Sequence, residues 1–247
     1  MTDIFNLIKT SKKYSNICDE TIHRIIADEI KKYKSEKDVV KSVKTKLHQI
    51  SEAFFDSKNI DKINIKGDIT QIMRYHVSTL ERIDFVFEMY DDIFANLLKY
   101  DTILDIACGF NPFMLPFLKV NHYYAVDINI DNVNLLNEFF RINNLNGTAY
   151  AGDVLYKIPE IESGVVFLFK ILPLLEQQKK GYSKFLLKNL KSDYFVITFP
   201  TKSLSGKDYG MFNFYRNFMK ENFPDPDYEY VFEREYKNEL LIIIKRR

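Results

Sequence analysis

Leu104-Asp105-Ile106-Ala107-Cys108-Gly109-Phe110-Asn111-Pro112 reads as the end of a strand, a tight turn and the start of a helix. The apolar run Thr102–Ile106 supplies the strand, and Pro112 suits a first helical turn, where its missing N–H is not needed. Beyond it, short apolar runs at Tyr123–Ile128, Thr148–Ala151, Val165–Phe169 and Tyr194–Thr198 alternate with helical stretches at Pro112–Leu118, Asp131–Asn143 and Gln177–Leu190. Strands alternating with helices imply βαβ units and a mostly parallel, Rossmann-like α/β sheet. Glu229–Glu235 and Leu240–Lys245, with a turn near Lys237–Asn238, read as a closing antiparallel hairpin.

Gly109 lets the backbone come close to a bound nucleoside. On its own it also occurs, less often, in a generic strand–turn–helix. Acids at successive strand tips decide between the two readings. Asp127 closes the second strand, twenty-two residues after Asp105, where it can accept from ribose hydroxyls. Asp153 closes the third, where it can accept from an adenine amino group, with Ile128 or Val154 flanking the ring. Asp105, Asp127 and Asp153 are expected along one crevice. The turn holds a single glycine and does not match GxGxxG, which disfavours a dinucleotide pyrophosphate. S-adenosyl-L-methionine has no phosphate and tolerates this turn.

Two classes of methyl acceptor are disfavoured. Enzymes acting on exocyclic amines commonly carry (Asp/Asn)-Pro-Pro-aromatic after the fourth strand, where this chain has Phe169-Lys170-Ile171-Leu172-Pro173. Pyrimidine C5 chemistry needs a cysteine after the fourth or fifth strand, and the only cysteines are Cys18 and Cys108. An acceptor with its own lone pair remains, such as a ring nitrogen. Its methylation rests on positioning and electrostatics.

Upstream, the first proline is Pro112 and the only glycine before Gly109 is Gly67, a helix-permissive composition. Thr21–Tyr33 and Glu36–Phe54 read as helices, and Ile69–Lys99 as one long helix or a helix with one break. Lys31–Ile50 holds seven lysines against two acids. Lys34, Lys37, Lys41 and Lys44 share a face, either a solvated surface or a set of phosphate contacts. The net charge of +1 advertises no polyanionic partner by itself. The two cysteines and four histidines show no metal-ligand spacing, and no apolar run reaches the roughly 20 residues of a membrane span. No metal, no membrane and a cytoplasmic location are expected.

Several motifs together resemble the 16S ribosomal RNA (guanine-1405-N7) methyltransferases that confer aminoglycoside resistance. They are Ser11-Lys12-Lys13-Tyr14, Lys46-Leu47-His48-Gln49, His76-Val77-Ser78-Thr79-Leu80-Glu81-Arg82, Cys108-Gly109-Phe110-Asn111-Pro112, Lys170-Ile171-Leu172-Pro173-Leu174-Leu175-Glu176-Gln177-Gln178, Phe199-Pro200-Thr201-Lys202-Ser203-Leu204-Ser205-Gly206-Lys207 and Gly210-Met211. The resemblance spans nearly the whole chain. It implies a class I methyltransferase sheet over residues 76–247, carrying the cofactor cleft, behind a helical docking domain over residues 1–75.

The same resemblance implies site roles. Arg82 would hold the methionine carboxylate of S-adenosyl-L-methionine, with His76 and Ser78 near it and Phe54 alongside. Ala107, Gly109, Asp127, Ile128, Asp153, Val154, Phe169 and Gln178 would line the cofactor site. Lys170 and Lys207 would face the target nucleotide. Lys34, Lys37, Lys41, Lys44 and Lys202 would contact 16S rRNA in the assembled small subunit. Ile106-Ala107 stands where the family more usually has Phe-Gly. Two alternatives stay open: a ribosome-binding assembly protein without turnover, and a methyltransferase for another RNA site.

Overall fold

The structure, a computed structural model, describes residues 2–52, 60, 62–98, 100–201, 211–224 and 226–247. Seven strands form one sheet: β1 (Thr102–Ile106), β2 (His122–Asp127), β3 (Gly147–Ala151), β4 (Glu162–Phe169), β5 (Lys191–Pro200), β6 (Tyr228–Glu235) and β7 (Glu239–Arg246). Their order is β3-β2-β1-β4-β5-β7-β6. β1 to β5 run parallel, and β7 pairs antiparallel with β5 and β6. The expected α/β sheet with its closing hairpin is therefore present. The strand order reverses between β1 and β4, which opens a crevice at the carboxyl ends of the first four strands.

Alternation along each strand separates two cores. Ile103 of β1 and Val165, Phe167 and Phe169 of β4 belong to one, with α4 (Ile69–Met73), α6 (Val86–Ala95) and α7 (Ile130–Ile142). Leu104, Ile106, Val166 and Leu168 belong to the other, with α8 (Leu172–Gln178), α9 (Tyr182–Asn189) and α10 (Met211–Asn222). Asp105 shares the face of Ile103. It is completely buried and accepts from Tyr123 Oη at 2.7 Å. The side chain of Asp105 therefore lies inside the core, and the expected row of three acids along the crevice is corrected to two.

A third core is separate from the sheet. α1 (Thr2–Lys9), α2 (Asp19–Ile30) and α3 (Glu36–Leu47) pack Ile8, Ile22, Ile26, Val43 and Leu47 among themselves. Ile63, Ile72 and Met73, by contrast, pack into the core under the sheet. The helical bundle is sewn to the sheet by backbone. Ile17 bridges Asn129, Cys18 N–H donates to the Ile128 carbonyl at 2.8 Å, and Ile130 N–H donates to the Asn16 carbonyl at 2.6 Å.

Several expected helices are shorter. Ile69–Lys99 divides into α4, α5 (Val77–Leu80), a 3-10 turn at Ile83–Phe85 and α6. Asp68 caps α4 by accepting from Thr70 N–H, and His76 is extended at φ −120° and ψ 127°. Helix periodicity cannot foresee these breaks, because they serve the burial of His76 and Arg82 beside the sheet. Glu36–Phe54 ends its α-helix at Leu47 and continues as a π-helical turn at His48–Glu52. Gln177–Leu190 is split at Gly181, whose φ of +77° is left-handed. The helices α1 and α10 were not expected.

Candidate active site

A cleft opens where the turns after β1, β2, β3 and β4 meet. Ten expected residues line it: His76, Ser78, Ala107, Asp127, Ile128, Asp153, Val154, Phe169, Lys170 and Gln178. Gly109 lies just behind. Its N–H donates to Asp127 Oδ2 at 2.9 Å, while Asn129 N–H donates to Oδ1 at 2.8 Å. Gly109 has φ +49°, and a Cβ there would meet the His76 ring at 2.8 Å, so the turn needs glycine on both counts. Ala107 has φ +55° and Lys170 φ +57°, left-handed conformations that side chains rarely adopt.

Arg82 is placed differently from expectation. It is completely buried and absent from the cleft lining, because Glu239, at the start of β7, takes its fork at 2.8 Å to Nη2 and 3.3 Å to Nε. Its remaining donors reach Asn111 Oδ1 and Ser78 Oγ, both of which line the cleft. The guanidinium also lies 5.0 Å over the Phe169 ring. Lys170 Nζ sits 2.6 Å from Glu81 and 3.0 Å from Glu239. Two cations and two carboxylates thus form one network behind the turn after β4. Burial pushes Glu239 upward, but Arg82 and Lys170 outweigh it and hold the carboxyl below its usual range.

The titratable groups around the cleft suit positioning better than proton transfer. Burial first, then Arg82 and Lys170, lower His76 to about 3, so it is neutral near pH 7. Burial pushes the Cys108 thiol up, which removes its nucleophilic form. Burial also raises Asp127, against hydrogen bonds from the Asn129 and Gly109 backbone.

The sequence reading missed the contribution of the helical bundle. Arg24 of α2, with Ile50 and Ser51 beyond α3, also lines the cleft, which is therefore not confined to residues 76–247. Arg24 Nε donates to Asp153 Oδ2 at 2.8 Å and Nη2 to Gln178 Oε1 at 2.9 Å. No local pattern marks Arg24, since a lone arginine on an amphipathic helix reads as surface. Asn132 was missed too, although Asn129, which caps α7, sits three residues earlier.

The lysine face is partly engaged within the bundle. Glu29, buried in α2, accepts from Lys32 at 2.8 Å, Lys46 at 2.9 Å and Ser42, and Lys31 lies 3.9 Å from Asp28. Lys34, Lys37, Lys41 and Lys44 form no ion pair among the described residues. The last three line a shallow groove with Tyr14 and His48. Lys34 precedes the helix rather than sharing its face, because Ser35 stands at the N-cap. Phe54, Lys202 and Lys207 lie outside the described residues. Among the described residues no cluster of three or more His, Cys, Asp or Glu offers a metal site, and no helix is long and apolar enough to cross a membrane.

Comparison with known proteins gives the family and the fold. The family described as ribosomal RNA methyltransferase (FmrO) matches residues 10–242. A 16S rRNA (guanine(1405)-N(7))-methyltransferase of Serratia marcescens is 30% identical, covering 100% of this chain and 98% of its own. One from Micromonospora echinospora is 27% identical, over 97% of this chain and 94% of its own. The crystal structure of the 16S rRNA methyltransferase RmtF in complex with S-adenosyl-L-homocysteine superposes with a TM-score of 0.92 at 30% identity, covering 100% of this chain and 98% of that one. The chain belongs to the FmrO family of ribosomal RNA methyltransferases.

Proposed function

We propose that this chain transfers the methyl group of S-adenosyl-L-methionine to N7 of guanine 1405 of 16S rRNA in the assembled small subunit, and thereby confers aminoglycoside resistance. The observation that carries the reading is the cleft at the carboxyl ends of β1 to β4, with Asp127 and Asp153 on its wall, in a chain of this family. The residues present suit the cofactor. Asp127 would take the ribose, Asp153 the adenine amino group, and Ile128 and Val154 the ring. Asn132 Oδ1 is buried at the cleft wall without a hydrogen-bond partner among the described residues, a position that favours a polar ligand. The Arg82–Lys170 network would act on the methionine carboxylate through Ser78 and Asn111, which carry the Arg82 fork to the cleft surface.

When bound, the cofactor supplies an electrophilic methyl on a sulfonium. The chain's own residues orient the acceptor and keep water out. Guanine N7 has an in-plane lone pair and needs no general base. A His76 held near 3 and a buried Cys108 thiol suit that chemistry better than amine or pyrimidine-carbon methylation. Lys170, fixed by Glu81 and Glu239, would anchor the base or a phosphate in line with the methyl, and Lys207 and Lys202 would join it on the RNA. N7 lies on the deep major-groove edge of A-form RNA, so the guanine must turn outward.

The helical unit, expected over residues 1–75, is proposed to be the bundle whose own core runs from Ile4 to Leu47, docking through Lys34, Lys37, Lys41 and Lys44. A cytoplasmic location follows from the proposed ribosomal substrate. The test is mapping of the methylated nucleotide in small subunits treated with the full chain and labelled cofactor. Methyl at N7 of guanine 1405 is expected. A methyl on an exocyclic amine, a pyrimidine carbon or another nucleotide overturns the reading.

A further inference from the structure

α2 begins at Asp19, immediately after the backbone bonds that Asn16, Ile17 and Cys18 make to residues 128–130 of the turn after β2. Its entry is therefore locked to the cleft rim, and Arg24 follows a turn and a half later. The Arg24 side chain, only 16% exposed, spans two walls of the cleft: Asp153 after β3 at 2.8 Å and Gln178 at the end of α8 at 2.9 Å. Asp153 is 5% exposed, and its second oxygen accepts from Leu155 N–H at 2.8 Å. Gln178 Nε2 donates to the Leu174 carbonyl at 3.2 Å. Each carboxylate oxygen keeps further acceptor capacity, and the carboxylate lines the cleft. A planar fork fixes two acceptors at once in a way a flexible ammonium cannot.

We propose that Arg24 is a positioning residue of the cofactor cleft: reaching in from the helical bundle, it holds Asp153 and Gln178 so that the cleft selects a 6-aminopurine nucleoside. The inference rests on the reading of the cleft as an S-adenosyl-L-methionine site. An acceptor held in place rewards a 6-amino group and repels a 6-oxo group, since two acceptors then face each other. Without Arg24 the carboxylate and amide can reorient, and the selection relaxes. The bundle that bears the lysine face is then also part of the base pocket.

Calorimetry on the full chain tests this with two probes, S-adenosyl-L-homocysteine and its 6-oxo analogue S-inosyl-L-homocysteine. Arg24→Gln is expected to bind the adenosyl probe about tenfold more weakly and to reduce its preference over the inosyl probe by at least tenfold. In an Asp153→Asn background the same substitution is expected to cost less than threefold. Unchanged affinity and preference overturn the proposal, as does an equal loss for both probes, which marks a merely structural contact. Should Arg24→Gln lack cooperative unfolding, Arg24→Lys replaces it. Reduced preference in that variant supports the proposal and unreduced preference overturns it. Failure of the unaltered chain to bind the adenosyl probe overturns the cofactor reading itself.

Discussion

Single residues around the cleft carry opposite demands. Asp127 accepts two backbone N–H groups and is proposed to accept from ribose as well. Hydrogen bonds to a charged group are worth about 1.5–3 kcal/mol. Asp127→Ala should therefore weaken S-adenosyl-L-homocysteine binding roughly tenfold or more in calorimetry, with the fold retained. Ala107 stands where the resembling family usually has glycine, and its φ of +55° explains why glycine suits the position. A side chain in that region costs about 1–2 kcal/mol, a cost that glycine's greater unfolded-state entropy only partly cancels on substitution. Ala107→Gly is expected to stabilise by up to about 1 kcal/mol in urea unfolding. Asp105 makes a pH prediction. Burial, opposed by hydrogen bonds from Tyr123 and Asn111, raises it to about 7. Because the folded value lies above the ordinary 3.8, its contribution to stability is complete below about 3.8 and is lost as pH rises through about 7. His76, lowered to about 3, works the other way below pH 6.5, so the difference between variants is the clean readout. Asp105→Asn should gain on the unaltered chain by a few kcal/mol between pH 4 and 7, at about 1.4 kcal/mol per unit. A constant difference across that range would return the carboxyl to its ordinary value.

At the scale of elements, the lysines of α3 and of the turn between α2 and α3 divide between two tasks. Lys32 and Lys46 close on Glu29, whose burial is outweighed by hydrogen bonds from Lys32, Ser42 and Lys46, leaving it at about 2. That contact holds α3 against α2 and leaves Lys34, Lys37, Lys41 and Lys44 outside it, as the proposed phosphate contacts require. Each neutralised phosphate adds close to one to the logarithmic salt slope, about 0.7 for single strands and 0.9 for duplex DNA. Replacing all four lysines by glutamine should flatten the salt dependence of small-subunit binding by about two to four. Cofactor affinity should hold, since none of the four lines the cleft. The reason is this placement rather than a division between domains, because α2 itself reaches the cleft. An unchanged slope in filter binding would make this face a solvated surface.

Across the whole molecule, Glu239 ties together segments far apart in sequence. It meets Arg82 beyond α5 and Lys170 after β4, and it is completely buried. Removing one partner of a buried pair leaves uncompensated charge and typically costs about 3–5 kcal/mol. Glu239→Gln should destabilise by about that amount in urea unfolding and should loosen Ser78 and Asn111 at the cleft. A loss below about 1 kcal/mol would mean that water or Glu81 compensates the cations.

Strand placement, the alternation with helices and the closing hairpin were legible in the chain itself, because apolar periodicity of two and the Cys108-Gly109 turn are local signals. Asp127 and Asp153 were legible for the same reason, each marking the end of a strand. Side-chain direction was not: Asp105 is one residue from pointing into the crevice, and alternation along β1 turned it into the core. The breaks at His76 and Arg82 were likewise closed to periodicity, since they follow from burying a charged network against β7, 157 residues away in sequence for the Arg82–Glu239 pair. Only the tertiary structure placed Arg24 on Asp153 and Gln178. Long-range pairs of this kind are chosen by which surfaces pack, and no spacing along a single chain encodes the partner.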